Sequence, residues 1–280
     1  MRAADLARLA LLAAIWGGSF IFIRVTATTL GPLWMAEGRV LLGGLALLAW
    51  YAVTRFDPQW GAHWRFYALI GVINCAIPFS LYGYAGLHLA ASTMAFLNAT
   101  SPMFGLLLGA AFGAERITAR KVAGLLVGAA GVALVARPEG GGSVLATAAC
   151  LVASFSYGLT GLMIRRKGAG VPSKGIAVGS QLAAAVALLP LLPLWMPSAV
   201  PTPVVAANLA GLGVLASGVA FILYFRLMTD VGPTRALTVT FLVPLFAFLW
   251  GALFLGEALT MGIAAGGVLI LAGTLLVTRG

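Results

Sequence analysis

Of the 280 residues in this chain, 61% are hydrophobic and only 9% are charged, whereas about a quarter of the residues in a soluble domain are charged. The formal net charge is +10, but the Lys and Arg residues lie at the ends of apolar stretches rather than on one face, so no nucleic-acid partner is expected. The apolar stretches are continuous and about 20 residues long, as bilayer-spanning helices require, whereas barrel strands would alternate. The composition therefore predicts an all-α polytopic membrane protein.

Breaks at Gly, Pro and charge clusters divide the chain into ten predicted transmembrane helices with short connections. The first stretch has the length of a signal peptide, but no A-x-A-like cleavage site and soluble domain follow it, so we interpret it as a retained helix. The predicted helices are 5–26, 32–54, 65–86, 90–112, 118–136, 143–165, 175–196, 204–227, 233–255 and 259–278.

The distribution of Lys and Arg between alternate connections predicts the orientation, because cytoplasmic loops carry an excess of both. With the N-terminus placed inside, the outer side keeps little more than Arg137 and Arg24. Both termini are therefore expected to face the cytoplasm, and a bacterial inner membrane is the expected location. The inner positions are Arg2, Arg8, Arg55, Arg65, Arg116, Arg120, Lys121, Arg165, Arg166, Lys167, Lys174, Arg226, Arg235 and Arg279.

The chain contains two copies of one apolar unit, residues 102–137 and 244–279, at an offset of 142 positions. Glu115 and Glu257 are equivalent in these copies. An odd number of predicted helices in each half requires the second half to be inverted relative to the first. The charges agree, because the basic residues that follow Glu115 have uncharged counterparts after Glu257.

The start of each half repeats as well, since WGGSFIFIR at 16–24 aligns with YGLTGLMIR at 157–165. We therefore predict ten transmembrane helices arranged as two inverted five-helix repeats around a central cavity. The repeats are residues 1–137 and 143–280, and a flexible Gly-rich linker at 138–142 joins them.

This organisation resembles the drug/metabolite transporter superfamily and, more narrowly, the EamA-type exporters. Among characterised members the chain is most similar to the YddG-type bacterial exporters of aromatic amino acids, although the superfamily also carries nucleotide sugars, triose phosphates, drugs and other amino acids. The resemblance covers essentially the whole chain. The motifs that carry it are WGGSF (16–20), PLWMAEGR (32–39), ASTMAFLNATSP (91–102), GAE (113–115), VPLF (243–246) and LGEALT (255–260).

Candidate substrate contacts are residues at mid-depth in symmetric places, because inverted-repeat transporters bind near the midplane between the halves. Trp16 and Tyr157 occupy equivalent positions, and so do Tyr82 and Tyr224, which could act as paired gates above and below a cavity. Packing or an interfacial location is the alternative for all four.

Polar groups and prolines inside predicted helices point to the same region. Asn98 and its counterpart Thr240 need polar partners in a lipid environment, so they are expected to face the bundle or a wet cavity. Proline frees a backbone carbonyl, which predicts hinges, or static kinks as the alternative. The further cavity candidates are Asn74, Phe79 and Phe241, and the candidate hinges are Pro78, Pro102 and Pro244.

Glu37 and Arg39 are the only well-embedded charges, and intramembrane ionisable residues are functional candidates by default. We expect either a coupling or substrate role or a structural one for these two residues, and the resemblance implies a structural Arg at this place.

Glu115 and Glu257 are expected to cap the helix that follows each of them. The glycine stripes are expected to pack within the chain, with a dimer contact as the alternative, and consist of Gly124, Gly128, Gly131, Gly262, Gly266 and Gly273.

The leading prediction is a secondary transporter or facilitator that exports small metabolites by alternating access, in particular aromatic or other apolar amino acids. Drugs or other neutral metabolites of the same family are the alternative substrates, and a channel or an intramembrane enzyme is the alternative class. The sequence contains no G-x-x-x-x-G-K-[ST] and no H-E-x-x-H, which disfavours ATP hydrolysis and zinc-dependent proteolysis. We expect no cofactor and no metal, the lipid bilayer and a small-molecule substrate as partners, and a monomer or a homodimer.

Overall fold

The computed structural model describes residues 2–136, 143–236, 238–258 and 260–279, so the predicted linker 138–142 lies outside the described residues. Within these ranges every regular element is helical, as the composition predicts. Seven helical stretches are long and apolar enough to cross a membrane, and Val239–Leu255 is a shorter apolar helix. Large apolar side chains such as Leu126, Leu253 and Phe254 are exposed on the helices, as the lipid-facing surface of a multi-pass membrane protein requires.

The helices in chain order are α1 Ala3–Val53, α2 Trp60–Ile70, α3 Ile77–Gly86, α4 Ala91–Asn98, α5 Ser101–Ala111, α6 Ala119–Val135, α7 Val144–Lys167, α8 Ser173–Leu188, α9 Pro203–Ala210, α10 Ala220–Val231, α11 Pro233–Ala236, α12 Val239–Leu255 and α13 Met261–Arg279. A π-helical segment at 71–76 joins α2 to α3, and another at 211–219 joins α9 to α10. The predicted helix 175–196 is α-helical only to Leu188 and continues as a 3₁₀ segment at 189–194. The predicted helix 65–86 begins five residues earlier, at Trp60.

Helix α1 is broken at Gly31, between the first two predicted spans. Gly31 has φ 74° and ψ 170°, a conformation that L side chains avoid. Trp16 donates to Ala216 O at 3.1 Å and Arg39 donates to Ser217 Oγ at 2.9 Å. In a straight helix residues 16 and 39 would lie about 35 Å apart, so these contacts with adjacent residues require α1 to fold back on itself at Gly31.

The two π-helical segments occupy equivalent places in the two halves. Shifted by 142 positions, residues 71–76 fall inside 211–219. Both segments pack against the opposite half of the chain, the first against α8 and the second against α1. Such π turns are rare and concentrate at functional sites, so the repeat extends to a local distortion that its hydrophobic pattern does not reveal.

The glycine stripes of α6 and α13 face each other. A Cβ on Gly131 would lie 2.6 Å from Gly266 O, and one on Gly273 would lie 2.5 Å from Gly124 O. The backbones therefore pack too closely for any side chain, as in other small-residue membrane interfaces. This confirms the expectation of packing within the chain for these positions.

The three candidate hinge prolines differ in their settings. Pro102 is the second residue of α5 and follows the break at Ala99 and Thr100 that separates α4 from α5. Pro78 is the second residue of α3, directly after a π segment. Pro244 lies inside α12, which continues without interruption. A break in its predicted helix occurs earlier, between α11 and α12.

Candidate functional site

A central cavity of about 430 Å³ lies between the two halves. Its wall is built from α1, α3, α7, α10, α12, both π segments and the α4–α5 break. The structure brings ten of the sequence-predicted residues to this wall, namely Trp16, Arg39, Asn74, Phe79, Tyr82, Asn98, Pro102, Tyr157, Tyr224 and Thr240. Phe241 lies instead on a neighbouring cavity, and Glu37, Pro78 and Pro244 line neither.

The four aromatic candidates form two contacts that cross between the halves. Trp16 packs against Tyr224 with ring centroids 5.4 Å apart, and Tyr82 stacks on Tyr157 at 6.3 Å with 18° between the planes. Trp16 is equivalent to Tyr157, and Tyr224 is equivalent to Tyr82. The two contacts are therefore the same contact made twice with the halves exchanged.

Phe221 is a cavity residue that the sequence-based prediction missed. It lies 6.2 Å from Trp16, ring centroid to ring centroid, and lines the cavity. Its position is that of Phe79 shifted by 142, so the repeat offset would have identified it. Together with the four aromatic candidates, Phe79 and Phe221 form three equivalent pairs, and Phe20 is a seventh aromatic side chain of the cavity lining.

The polar groups of the wall are connected by hydrogen bonds. The Tyr82 hydroxyl donates to Asn98 Oδ1 at 3.0 Å and lies 3.5 Å from Ser154 Oγ. Ser154 donates in turn to Leu97 O at 3.0 Å, one of the carbonyls at the end of α4. Because Asn98 is the last residue of α4, this network ties the α4–α5 break to α3 and α7.

Arg39 is the cationic side chain of the cavity wall. Only 8% of the residue is exposed, and its guanidinium carbon lies 3.7 Å from the centroid of the Phe79 ring. Arg39 Nε donates to Ser217 Oγ. Glu37, two residues earlier, is 6% exposed and lies away from the cavity, and its Oε2 has no hydrogen-bond partner within the described residues.

A second cavity of about 670 Å³ adjoins the first. The two share the lining residues Pro102, Tyr157, Gly158 and Thr240, so these four residues stand between them. The far wall of the second cavity carries Glu115, Lys121, Arg165 and Arg235. It therefore opens at the end of the bundle where basic residues are abundant.

Glu115 is the centre of an ion-pair group at this end. It accepts from Arg165 Nη1 at 2.7 Å and from Lys121 Nζ at 3.3 Å. The hydrogen bond from Arg165 and then that from Lys121 lower the pKa of Glu115. The expectation that Glu115 caps the following helix is wrong, because the Thr118 side chain accepts from Lys121 N at the start of α6.

Glu257 makes the equivalent ion pair with an arginine at the opposite end of the bundle. It is ion-paired with Arg24 and accepts from Ala91 N at 2.8 Å and from Ser92 N at 3.4 Å. Glu257 therefore caps α4 from the opposite half of the chain and not the following helix α13 as expected, because its carboxylate satisfies orphan N–H groups at the α4 N-terminus. The side chain of Glu257 is 6% exposed, whereas that of Glu115 is 36% exposed.

Within the described residues no group of three or more His, Cys, Asp or Glu side chains is placed to hold a metal ion. Cys75 and Cys150 are both free and buried, as expected for cysteines that serve as small apolar residues.

Apolar helices long enough to cross a bilayer, packed around an aromatic cavity, define a membrane transport protein. The chain belongs to the EamA-like transporter family, whose sequence profile matches it twice, over residues 7–137 and 144–279. The resemblance to EamA-type exporters is thereby confirmed.

The chain is similar to several curated transporters over nearly its whole length. It is 27% identical to a probable terminal-alkyne amino-acid exporter of Streptantibioticus cattleyicolor, over 97% of this chain and 92% of that protein. It is 26% identical to the uncharacterized transporter YvbV of Bacillus subtilis, over 96% of this chain and 90% of that protein. One crystal structure shares the fold, with a TM-score of 0.67 and 20% identity over 100% of this chain and 98% of that one.

Proposed function

We propose that this protein exports small metabolites, in particular aromatic or other apolar amino acids, by alternating access at the central cavity. The single observation that carries the proposal is the cavity itself, whose described lining residues include seven aromatic side chains and one cation. Such a lining suits a substrate with an apolar body and little net charge. The relative that is named as a probable amino-acid exporter supports the same substrate class.

The finer architecture that we propose is ten transmembrane helices in two inverted repeats, with both termini in the cytoplasm of a bacterial cell. Reciprocal contacts between the halves support it. Arg24 meets Glu257 while its counterpart Arg165 meets Glu115. A Cβ on Gly17 would touch Phe246, while one on the equivalent Gly158 would touch the equivalent Phe104. Reciprocal exchange of this kind is what a two-fold relation between repeats produces.

The difference between the two ends supports alternating access. Glu257 closes one end by holding the start of α4. The opposite end has the second cavity between α5, α7 and α12, and its abundant basic residues support the proposal that it is the cytoplasmic end. The captured conformation is then open to the cytoplasm, and the outward-open state would exchange the roles of the two ends.

Counterflow in liposomes tests the transport proposal. Purified protein is reconstituted, and uptake of labelled L-phenylalanine is measured against internal unlabelled amino acids, nucleotide sugars or cationic drugs. We expect saturable counterflow with apolar amino acids and its loss in Trp16→Ala and Tyr157→Ala. Trp64→Ala is the matched control, because Trp64 is an exposed aromatic residue of α2 far from the cavity lining. Folding is verified by size-exclusion chromatography and thermal unfolding.

Three outcomes would contradict the proposal. Full activity of both cavity variants would show that substrate binds elsewhere. Non-saturable flux of every compound would indicate a channel. Counterflow restricted to drugs or nucleotide sugars would replace the amino-acid assignment with another substrate class.

The proposed orientation has its own test. Single cysteines at Ser198, in the connection between the 3₁₀ segment and α9, and at Gly170, between α7 and α8, lie at opposite ends. A membrane-impermeant maleimide added to intact cells should label Ser198→Cys and not Gly170→Cys. The reverse pattern would overturn the orientation.

A further inference from the structure

The guanidinium of Arg39 is held in one plane at the cavity wall. Its face lies 3.7 Å above the Phe79 ring, and its Nε is fixed by the hydrogen bond to Ser217 Oγ. Stacking and this hydrogen bond determine the orientation of the planar group. The remaining edge of the guanidinium carries both Nη atoms, and the residue borders the cavity.

The two Nη atoms have no partner within the described residues. Arg39 takes part in none of the ion pairs there, and its one hydrogen bond uses Nε. No Asp or Glu is among the described residues that line the cavity. Arginine does not deprotonate in proteins, so a buried cation that can donate four more hydrogen bonds is left without an acceptor or a countercharge.

A buried, unpaired charge is strongly unfavourable unless something neutralises it. An anionic acceptor that enters the cavity would therefore be attracted to this group, and its geometry should match a planar fork of two parallel N–H groups. A carboxylate matches this fork and binds it in a bidentate manner. A phosphate ester carries two charges, and among the described residues of the cavity wall Arg39 is the one cation.

We infer that Arg39 binds the carboxylate of the transported substrate through its two Nη atoms, which makes a single carboxylate on an apolar body the recognised chemical class. The inference rests on the proposed transport function and adds the group that fixes the substrate in the cavity. The apolar body then lies among Trp16, Tyr157 and Tyr224. An amino group would meet no Asp or Glu among the described lining residues, only aromatic faces and neutral side chains such as Asn74 and Asn98, so its attraction to the wall is the weaker one.

The experiment uses matched compounds that differ in one group. Counterflow by the wild-type protein in liposomes is competed with L-phenylalanine, L-phenylalaninamide, 3-phenylpropionate and phenethylamine, and the set is repeated with indolyl and isobutyl bodies. We expect each acid to compete about tenfold or more better than its amide, since hydrogen bonds to charged groups have this strength. Removal of the amino group should have the smaller effect.

Variants separate substrate binding from a structural role. In Arg39→Met the preference for acid over amide should vanish while the amide still competes, whereas a purely structural residue would weaken both compounds equally. Arg39→Lys keeps the charge without the fork and should retain only part of the preference. Arg226→Met is the matched control, because Arg226 is an exposed arginine of α10, and it should behave as the wild type.

If the variants fail to fold, competition experiments with the wild-type protein alone still test whether a substrate carboxylate is recognised. Equal competition by acids and amides, with counterflow intact, would overturn the role of Arg39 and leave the transport proposal standing. Transport of none of the compounds would overturn both. An unchanged acid preference in folded Arg39→Met would also contradict the inference.

Discussion

Arg24 of the first half is ion-paired with Glu257 of the second half, and the carboxylate of Glu257 also holds the start of α4. The equivalent residues Arg165 and Glu115 meet at the other end, across the mouth of the second cavity. The same pair of residue types is thus present at both ends of the bundle. At one end the carboxylate is buried and bonded to a helix N-terminus, and at the other end it is partly exposed.

Glu257→Gln should open the closed end. The substitution keeps the shape of the side chain but removes the charge that binds Arg24 and the α4 N-terminus, at a cost of about 1–3 kcal/mol. Spin labels at His88 and Phe254, which flank this end, should show a longer and broader distance distribution by electron double resonance. Asp230→Asn, which removes an exposed ion pair with Arg8, is the control. An unchanged distribution in Glu257→Gln would contradict a gating role.

The Glu115 ion pairs should be insensitive to pH across the physiological range. Because Arg165 and Lys121 lower the pKa of folded Glu115, the pairs stabilise the folded state above the ordinary carboxyl pKa and lose this contribution as the pH falls through the lowered value. The effect is small, since these side chains are partly exposed. Thermal unfolding of wild type and Glu115→Gln should therefore differ by the same amount from about pH 6 to about pH 8 and converge only in acid. Convergence near neutral pH would argue against the ion pairs.

Tyr82→Phe should weaken the hydrogen-bonded contact that holds the break between α4 and α5. The hydroxyl of Tyr82 donates to Asn98 Oδ1, and its removal leaves a polar group at the α4 end without its donor. We expect a loss of about 0.5–1.5 kcal/mol in the free energy of unfolding in detergent together with slower counterflow. Tyr84→Phe in the same helix is the control, because the Tyr84 hydroxyl makes no hydrogen bond within the described residues. Equal behaviour of the two variants would refute the role of the Tyr82 hydroxyl.

Gly131→Leu and Gly273→Leu should each separate α6 from α13. The Cβ atom alone would lie 2.6 Å and 2.5 Å from backbone oxygens of the partner helix, so overpacking should destabilise the bundle by about 1–3 kcal/mol or more. Gly61→Ala is the control, since nothing lies within 4 Å of its added Cβ and alanine favours an exposed helix. Normal thermal stability of both leucine variants would show that the two helices are not in this contact.

The repeat can be recognised in the sequence, and it indicates equivalent residues in the two halves as well as the fold class. Its offset paired Trp16 with Tyr157 and Tyr82 with Tyr224, and all four line the cavity. It also paired the two arginines and two glutamates of the ion pairs. The sequence assigned each glutamate to the helix after it, because a capping residue is normally sought in its own neighbourhood. The true partners lie 166 positions apart for Glu257 and Ala91, which local pattern cannot show.

By itself the sequence determined that this is an all-helical, multi-pass membrane protein of the EamA type, because hydropathy and helix length are imposed by the bilayer. It also determined which residues of the two halves correspond. Only the tertiary structure decided that Phe241, Glu37 and Pro244 stay away from the central cavity, that α1 folds back at Gly31, and that the two Nη atoms of Arg39 have no acceptor in the part of the chain that the structure describes. These three features depend on which side of a helix faces the other half of the chain, and on distances between segments that are far apart in the sequence. The physical reason is that helices apolar on nearly every side leave no periodicity to indicate their inner face.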